Sequence, residues 1–294
     1  MGYELWISPN TGYRRRGTRF SALKKIFIDN VTVREIYEPL MCCRINDPAI
    51  HVKQTLQHRQ FDTAGVIEQE QKIFKYVVAD ELNEGTISDY CHEIKLDQVI
   101  SDSTPLANLL LIPKNNDFVY INHATKVIGI ITKADLNKPP VRVYVFGMIS
   151  LFEMHLNSWI RHEYPENSWH TKISENRLSK AREIHLQRLQ KNQDLSLLDC
   201  LQFADKGVLL AKSAVFLERF EYKKKFFEHF VKQVESIRNQ IAHSQDSIIS
   251  TLTWDDFVDV LEKVDKFLSV SDEQIEAAAI QGANNFVEYL LPTA

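Results

Sequence analysis

The distribution of proline and glycine limits the possible folds of this 294-residue chain more than any other sequence feature. No proline occurs between Glu166 and Leu291, and that span contains only Gly207 and Gly282. A stretch that nearly lacks both chain breakers and is rich in Leu, Lys, Glu, Gln and Ala predicts consecutive helices. Upstream, short runs of Val, Ile, Phe and Tyr alternate with polar segments and predict strands mixed with helices. The predicted fold class is therefore α+β, with a change of architecture near residue 140.

Composition narrows the class of protein. The chain is 44% hydrophobic and 25% charged, which is typical of folded globular domains. Apolar runs such as 107–112 are far shorter than the roughly 18 residues that a membrane span needs, and the first thirty residues lack a signal-peptide apolar stretch. We therefore expect a cytoplasmic protein without a membrane partner. A net charge of −4 argues against a globally basic nucleic-acid binder, and nine glycines leave no glycine-rich phosphate loop.

The four cysteines give neither a disulfide framework nor the paired spacing of a zinc site. Cys42 and Cys43 are adjacent, while Cys91 and Cys200 are isolated. We interpret them as reduced, structural thiols and expect no metal.

An internal repeat organises the upstream part of the chain. A shift of 54 residues places Asp62–Leu82 on Asn116–Leu136 without a gap, and apolar positions coincide. The matched pairs are Val66 with Tyr120, Ile67 with Ile121, Ile73 with Val127, Phe74 with Ile128, Val77 with Ile131 and Leu82 with Leu136. Each copy is predicted to form a strand, a turn, a second strand and the start of a helix.

The segment 129–136, GIITKADL, resembles the G-x-[IV]-[TS]-x-x-D-[LI] signature of CBS domains. These domains occur as tandem pairs of β-α-β-β-α units that often bind adenosine nucleotides in the cleft between the copies. The resemblance covers about residues 45–140. It implies a regulatory nucleotide such as AMP, ATP or a dinucleotide second messenger, with Thr132, Asp135 and Thr104 as candidate binding residues.

The residue types of the signature fit this function. A threonine hydroxyl at a strand end and an acid in the next helical turn can bond to phosphate and ribose, and the helix N-terminus faces any phosphate. The alternative interpretation is that Thr132 and Asp135 only cap a helix. The first copy has Lys75, Val78 and Glu81 at the positions of Gly129, Thr132 and Asp135. We expect it to have lost nucleotide chemistry and kept the fold.

Downstream of Lys138-Pro139-Pro140, apolar residues at three- and four-residue spacing from Met148 to Ile160 predict a long amphipathic helix. His155 lies on that apolar face and is predicted to be a core or interface histidine. Further helices are predicted over Ser174–Lys191, Leu195–Phe220, Glu221–Gln245 and from a capping box at Thr253 to Leu268.

The segment from Val234 to Ser244 contains the residues with the clearest chemical potential. At 100° per residue, Phe230, Val234, Ile237 and Ile241 share a core stripe, and Arg238 leaves its edge. Further round the helix, Asn239 and His243 are predicted to lie one turn apart on the outward face, around the small Ala242. This arrangement suits close approach by a phosphodiester or by a partner helix.

Arg238-Asn239-x-x-Ala242-His243 resembles the HEPN motif, in which an arginine is followed after four to six residues by a histidine. In that family two copies meet across a homodimer and form a metal-independent RNA-cutting site in an all-α bundle. The resemblance implies that Arg238 and His243 are catalytic and that Asn239 is the polar residue beside the arginine. No cofactor for catalysis is then expected.

The chemistry of the residues supports the same assignment. Cutting RNA without metal needs a group that titrates near neutral pH to take the 2′-hydroxyl proton and a cation to stabilise the phosphorane. The alternative is a helix-end histidine and an arginine paired with a carboxylate such as Glu235. Glu153 is a candidate orienting acid. We interpret the basic clusters 14–16 and 223–225 as solvent-exposed surface and not as sites that bind an RNA backbone.

Together these features predict four segments. They are an N-terminal extension (1–47), a tandem CBS domain (48–140), a HEPN-like all-α domain (141–270) and a C-terminal tail (271–294). We interpret the chain as a homodimeric endoribonuclease that leaves 2′,3′-cyclic phosphate ends on tRNA or mRNA, has no DNA partner and is regulated by a nucleotide. A bacterial toxin or phage-defence effector fits this description. The alternative is a non-catalytic nucleotide-sensing or RNA-binding scaffold that dimerises through its helices.

Overall fold

A computed structural model describes residues 19–68, 72–109, 118–193, 195–242 and 253–282. The chain forms two compact units. We call residues 26–142 the repeat unit, and the described residues of 1–25 and 143–294 the helical unit. Strands and helices both occur, so the predicted α+β class is confirmed. None of the described helices has both the length and the apolarity to cross a membrane.

The repeat unit contains two four-stranded sheets, with strand orders β1-β8-β7-β6 and β2-β3-β4-β5. The strands are β1 (Glu38–Pro39), β2 (Cys42–Arg44), β3 (Thr63–Ile67), β4 (Ile73–Val78), β5 (His92–Glu93), β6 (Val99–Ser101), β7 (Phe118–His123) and β8 (Lys126–Thr132). Helix α1 is Phe20–Asp29, α2 is Ala49–Arg59 and α3 is Leu106–Leu109. Strands β1 and β2 lie before residue 48, and both pair within these sheets.

The predicted repeat is confirmed as two antiparallel hairpins, β3-β4 and β7-β8, each followed by a 3-10 turn. The predicted gapless alignment of the two copies is wrong by one residue where the first strands, β3 and β7, are compared. Val66 pairs with Lys75, and Ile121 pairs with Gly129, so Val66 corresponds to Ile121 and not to Tyr120. The second hairpin has a connection one residue shorter, which a comparison of apolar positions alone does not reveal.

A close approach of the backbone explains why the two copies differ at the signature glycine. Strand β1 lies antiparallel to β8, and a Cβ at Gly129 would lie 2.3 Å from Cδ2 of Tyr37 and 2.8 Å from the carbonyl oxygen of Glu38. In the sheet β2-β3-β4-β5, strand β5 takes the place of β1, and Lys75 of β4 pairs with Glu93. The residue before β5 is Cys91, whereas the residue before β1 is the larger Tyr37. A side chain larger than glycine therefore fits only in the first copy.

The cysteines of the repeat unit are all free, and so is Cys200. Cys43 is buried in the core beside the sheet β2-β3-β4-β5, together with Ala64 and Val66. Its burial raises the pKa of the thiol to about 12, so this cysteine behaves as a small apolar side chain.

The helical unit is built from short and long helices around an aromatic core. Its helices are α4 (Pro139–Glu163, of which Val143 onward belongs to this unit), α5 (Glu175–Leu189), α6 (Phe203–Leu210), α7 (Ala214–Arg219), α8 (Lys224–Ala242) and α9 (Trp254–Gly282). Phe152 of α4 contacts Phe203, Phe230 and Phe267, with ring centroids 6.0, 5.4 and 4.8 Å apart. A Cβ at Gly207 would lie 2.6 Å from Cγ1 of Val231, so α6 packs closely on α8 and fixes its position.

The prediction of one helix over Leu195–Phe220 is wrong. The chain there forms a 3-10 turn at Leu197–Cys200, then α6 and α7. Ser196 and Asp199 bond to each other, and Ser213 Oγ accepts a hydrogen bond from the amide of Phe216 (3.1 Å). Serine and aspartate side chains accept hydrogen bonds from the free backbone amides at the start of a helix. They therefore favour several short helices over one continuous helix in this segment.

The helix predicted from Thr253 to Leu268 begins at Trp254 as expected, with the Thr253 hydroxyl accepting from the amide of Asp256 (3.1 Å). It continues to Gly282, because polar residues past Leu268 are bound inside the unit. The indole of Trp159 donates to Ser271 Oγ (2.7 Å), which lies 2.7 Å from Nδ1 of His155. His155 is fully buried, as the core alternative predicted.

Candidate functional site

A cleft of about 360 Å³ lies in the repeat unit at the end of strand β8. It is lined by residues of both repeat copies and of the segment around β1, namely Glu38–Met41, Gln60–Thr63, Ile130, Thr132, Ala134 and Asp135. Pockets for small molecules begin at about 300 Å³, so the cleft is large enough for a compact ligand.

Three elements bring these residues together. Strand β1 pairs with β8 so that Glu38 faces Ile130. Gln60 ends helix α2 in the left-handed conformation (φ 57°), which turns the chain through Phe61 and Asp62 into β3. Thr63 is buried, and its hydroxyl donates to the carbonyl of Val77 (2.8 Å), leaving Phe61 and Asp62 exposed at the cleft.

Thr132 and Asp135 both line the cleft and also cap the 3-10 turn that follows β8. The amide of Thr132 donates to Oδ2 of Asp135 (2.7 Å), and the Thr132 hydroxyl donates to the same oxygen (3.1 Å). The capping alternative therefore describes real contacts. It also means that the backbone amide at this turn already has a carboxylate partner, which an incoming phosphate would have to displace.

Lys138 contacts Asp135 of this turn, and its three donors are all used. Its ammonium donates to the carbonyl of Ile36 (2.5 Å), to Oε1 of Glu38 and to Oδ1 of Asp135 (2.9 Å). Burial acts to lower the pKa of Lys138, but the hydrogen bonds to Glu38 and Asp135 outweigh it and raise the pKa. An ammonium has three donors, so this lysine has none left for a ligand.

Thr104, the third candidate nucleotide-binding residue, is not among the residues that line the cleft with Thr132 and Asp135. It is half-buried in the turn before α3, and its carbonyl accepts from the amide of Val33 (3.0 Å).

The corresponding end of β4 in the first copy has different chemistry. Val78 has no hydroxyl, and Glu81 is about half exposed, with Oε2 lying 2.5 Å from Nε2 of His92. Tyr76 lies beside His92, Phe118 and Tyr120, with ring centroids 5.2–5.7 Å apart. Aromatic side chains therefore fill space beside β4.

Helix α8 carries the second group of predicted site residues. Phe230, Val234 and Ile237 are buried, as the predicted core stripe requires, but Ile241, its fourth member, is half-buried. Arg238 and Asn239 are exposed. The close contact of Gly207 with Val231 lies on the buried side of the same helix. His243, the third predicted catalytic residue, lies outside the described residues.

The alternative partner of the arginine is engaged elsewhere. Oε1 of Glu235 accepts from the amide of Ala204 (3.3 Å), and within the part of the chain that the structure describes Arg238 makes no ion pair. Glu153, the candidate orienting acid, accepts from the buried ammonium of Lys206 (2.6 Å).

Sequence reasoning missed the cleft residues that precede the signature. No local motif marks Glu38–Met41 or Gln60–Thr63, because their role comes from pairing with a strand that lies far along the chain. The one sequence feature that could have indicated these residues is the tandem repeat. In a tandem repeat, residues beside the first hairpin are candidates to contact residues beside the second hairpin.

No family model matches the sequence, and neither does any curated protein. Solved CBS domain pairs are similar to the N-terminal part of the chain. The CBS domains of a transcriptional regulator from Streptococcus pneumoniae are 20% identical with a TM-score of 0.32, covering 37% of this chain and 98% of that chain.

Two ligand-bound structures are similar at the same level. CBSX2 in complex with AMP is 17% identical with a TM-score of 0.32, covering 38% of this chain and 97% of that chain. The CBS domain pair of protein MJ0100, in complex with 5-methylthioadenosine and S-adenosyl-L-methionine, is 15% identical with a TM-score of 0.32. That match covers 36% of this chain and 95% of that chain.

Proposed function

We propose that the protein is a metal-independent endoribonuclease whose activity is controlled by an adenosine-containing ligand bound in the cleft of the repeat unit. The cleft carries this proposal, because it joins both repeat copies and combines an apolar wall with hydroxyl and carboxylate groups. Pro39, Leu40, Met41 and Ile130 offer surface to a flat base. Ribose hydroxyls can donate to the carboxylates that line the other side.

The first copy supports a ligand role for the signature. It forms the same hairpin and 3-10 turn with Val78 and Glu81 in place of Thr132 and Asp135. The hairpin and turn therefore do not depend on a threonine and an aspartate at these two positions, and the presence of Thr132 and Asp135 in the copy with the cleft favours binding in addition to capping.

The ribonuclease part of the proposal rests on helix α8. An exposed arginine that makes no ion pair within the described residues is available for a phosphate, and Asn239 is exposed beside it. His243 follows Arg238 by five positions in the sequence. An imidazole and a guanidinium are the two groups that RNA cleavage without metal needs.

The reaction in this proposal is a transesterification within the RNA. His243 accepts the proton of the 2′-hydroxyl, the 2′ oxygen attacks the phosphorus, and the bond from phosphorus to the 5′ oxygen breaks. Arg238 stabilises the negative charge of the phosphorane. A second imidazole protonates the leaving 5′ oxygen, so a 2′,3′-cyclic phosphate and a 5′-hydroxyl result. One histidine cannot act as base and acid at once, which favours a two-fold dimer in which the partner's His243 supplies the acid.

The test is cleavage of labelled tRNA and total RNA in EDTA. We expect cyclic phosphate ends, and a loss of about 100-fold or more for Arg238→Ala and for His243→Ala. The matched controls are His229→Ala, an exposed histidine on α8, and Arg188→Ala, an exposed arginine on α5; both should cleave as the wild type does.

A second measurement tests the composite site. Mixed dimers of Arg238→Ala chains and His243→Ala chains should cleave faster than the mean of the two parents and more slowly than the wild type, because the shared site then holds one Arg238 and only one of its two His243 side chains. A rate equal to the mean of the parents would contradict the composite site. Cleavage by the two variants at the wild-type rate, or no cleavage of any RNA, would favour the scaffold alternative. A monomer near 34 kDa in light scattering would contradict the dimer.

A further inference from the structure

The charges around the cleft distinguish between adenosine-containing ligands. Three carboxylates line it, those of Glu38, Asp62 and Asp135. Among the described residues that line the cleft, none is Lys, Arg or His. A cleft lined by one sign of charge attracts ligands of the opposite sign and repels ligands of its own.

The positive charge of Lys138, which contacts two of these carboxylates, does not change that balance. The ammonium of Lys138 is bound to Glu38 and Asp135 at once and to the carbonyl of Ile36. It partly neutralises two of the three carboxylates and has no free donor. Asp62 is exposed, and its carboxylate makes no ion pair within the described residues, so its charge faces the cleft uncompensated.

The backbone amide of Thr132, at the start of the turn, is also occupied. The amide and hydroxyl of Thr132 both donate to Asp135, at 2.7 and 3.1 Å. A phosphate at this position would have to displace a carboxylate from its hydrogen bonds and would then lie beside that displaced charge. Neutral ribose hydroxyls meet no such barrier, because they can donate to the open lone pairs of the carboxylates.

We infer that the cleft binds an adenosine-type nucleoside whose 5′ end is uncharged or positively charged, and that it discriminates against nucleoside phosphates. This inference rests on the proposed ligand function and narrows its ligand class. The volume of about 360 Å³ agrees with a single nucleoside, since it lies near the lower limit for small-molecule pockets.

Calorimetry on the full chain with four ligands tests the inference. The ligands are 5′-amino-5′-deoxyadenosine, adenosine, AMP and ATP, in order of decreasing expected affinity. We expect AMP to bind about tenfold more weakly than adenosine in low salt, and ATP more weakly still. Added salt should narrow these differences, because it screens charges near the surface.

The variant Asp62→Asn removes the uncompensated charge and should bring the affinities for AMP and adenosine closer together. Asp97→Asn makes the same charge change at an exposed position that does not line the cleft, and it should leave the AMP-to-adenosine ratio as in the wild type. AMP or ATP binding as tightly as adenosine would overturn the inference while leaving the proposed ligand function standing. Absence of binding by all four ligands would overturn both.

Discussion

The two copies of the repeat unit share strands and a 3-10 turn but differ in what lies at the end of each hairpin. In the second copy, Asp135 binds Thr132 and Lys138 and lines a cleft. In the first copy, Glu81 is exposed beside His92. The comparison teaches that the hairpin and its turn form without the signature residues. What the second copy adds is a polar, partly buried surface that a ligand can reach.

The largest expected effect on stability is at the signature glycine. Gly129→Ala should lower the free energy of unfolding by about 3 kcal/mol, the upper end for overpacking, because the added Cβ meets the backbone of Glu38 as well as the ring of Tyr37. The corresponding change in the first copy, Lys75→Ala, should have little effect, since it removes only a surface ion pair with Glu68. Urea unfolding measures both. Equal losses in the two variants would show that β1 does not distinguish the copies.

The next largest effect concerns ligand binding. Asp135→Ala should weaken adenosine binding about tenfold or more, because it removes a carboxylate from the cleft, leaves the amide of Thr132 without its partner and takes one of the three partners of Lys138. Glu81→Ala should change binding by less than about twofold. Calorimetry gives both affinities, and circular dichroism checks that each variant is folded. A greater loss for Glu81→Ala would place the ligand at the first copy and reverse the comparison.

Part of this difference could be predicted from the sequence. The repeat, the loss of the signature in the first copy and the burial of the α8 stripe all follow from apolar spacing and residue type, which local sequence records. Tyr37 and Lys138 could not be assigned, because each acts on a segment about a hundred positions away. In the helical unit, Ser196 and Ser213 lie in a segment whose residues are otherwise typical of one continuous helix. Only the hydrogen bonds of these two serines to nearby backbone and side-chain groups show that new helices begin there.

The smallest expected effect is on the pH dependence of stability and concerns Asp102, which follows β6 in the second copy. Asp102 accepts from Nε of Arg34 (2.7 Å) and lies 2.7 Å from Nδ1 of His123, whereas the first copy has Ile45 after β2. Burial acts to raise the pKa of Asp102, but Arg34 and His123 outweigh it, so the pKa lies below its usual range.

A carboxyl whose pKa is depressed by folding stabilises the fold above its unfolded pKa, near 3.9, and loses this contribution as the pH falls through the folded value. The difference in unfolding free energy between the wild type and Asp102→Asn should therefore persist at pH 5 and shrink below about pH 4. The exposed Asp97→Asn is the control and should show no such trend. A difference that widens as the pH falls from 5 to 3 would contradict the assigned ion pairs.

Control of RNA cleavage by the ligand is the central claim, and one titration tests it directly. The cleavage rate of labelled RNA in EDTA is measured against adenosine concentration for the wild type, Asp135→Ala and Glu81→Ala. We expect the rate to change with adenosine in the wild type and in Glu81→Ala and to stay constant in Asp135→Ala at the same concentrations. A wild-type rate that is the same at every adenosine concentration, or RNA that is not cut at all, would contradict the account.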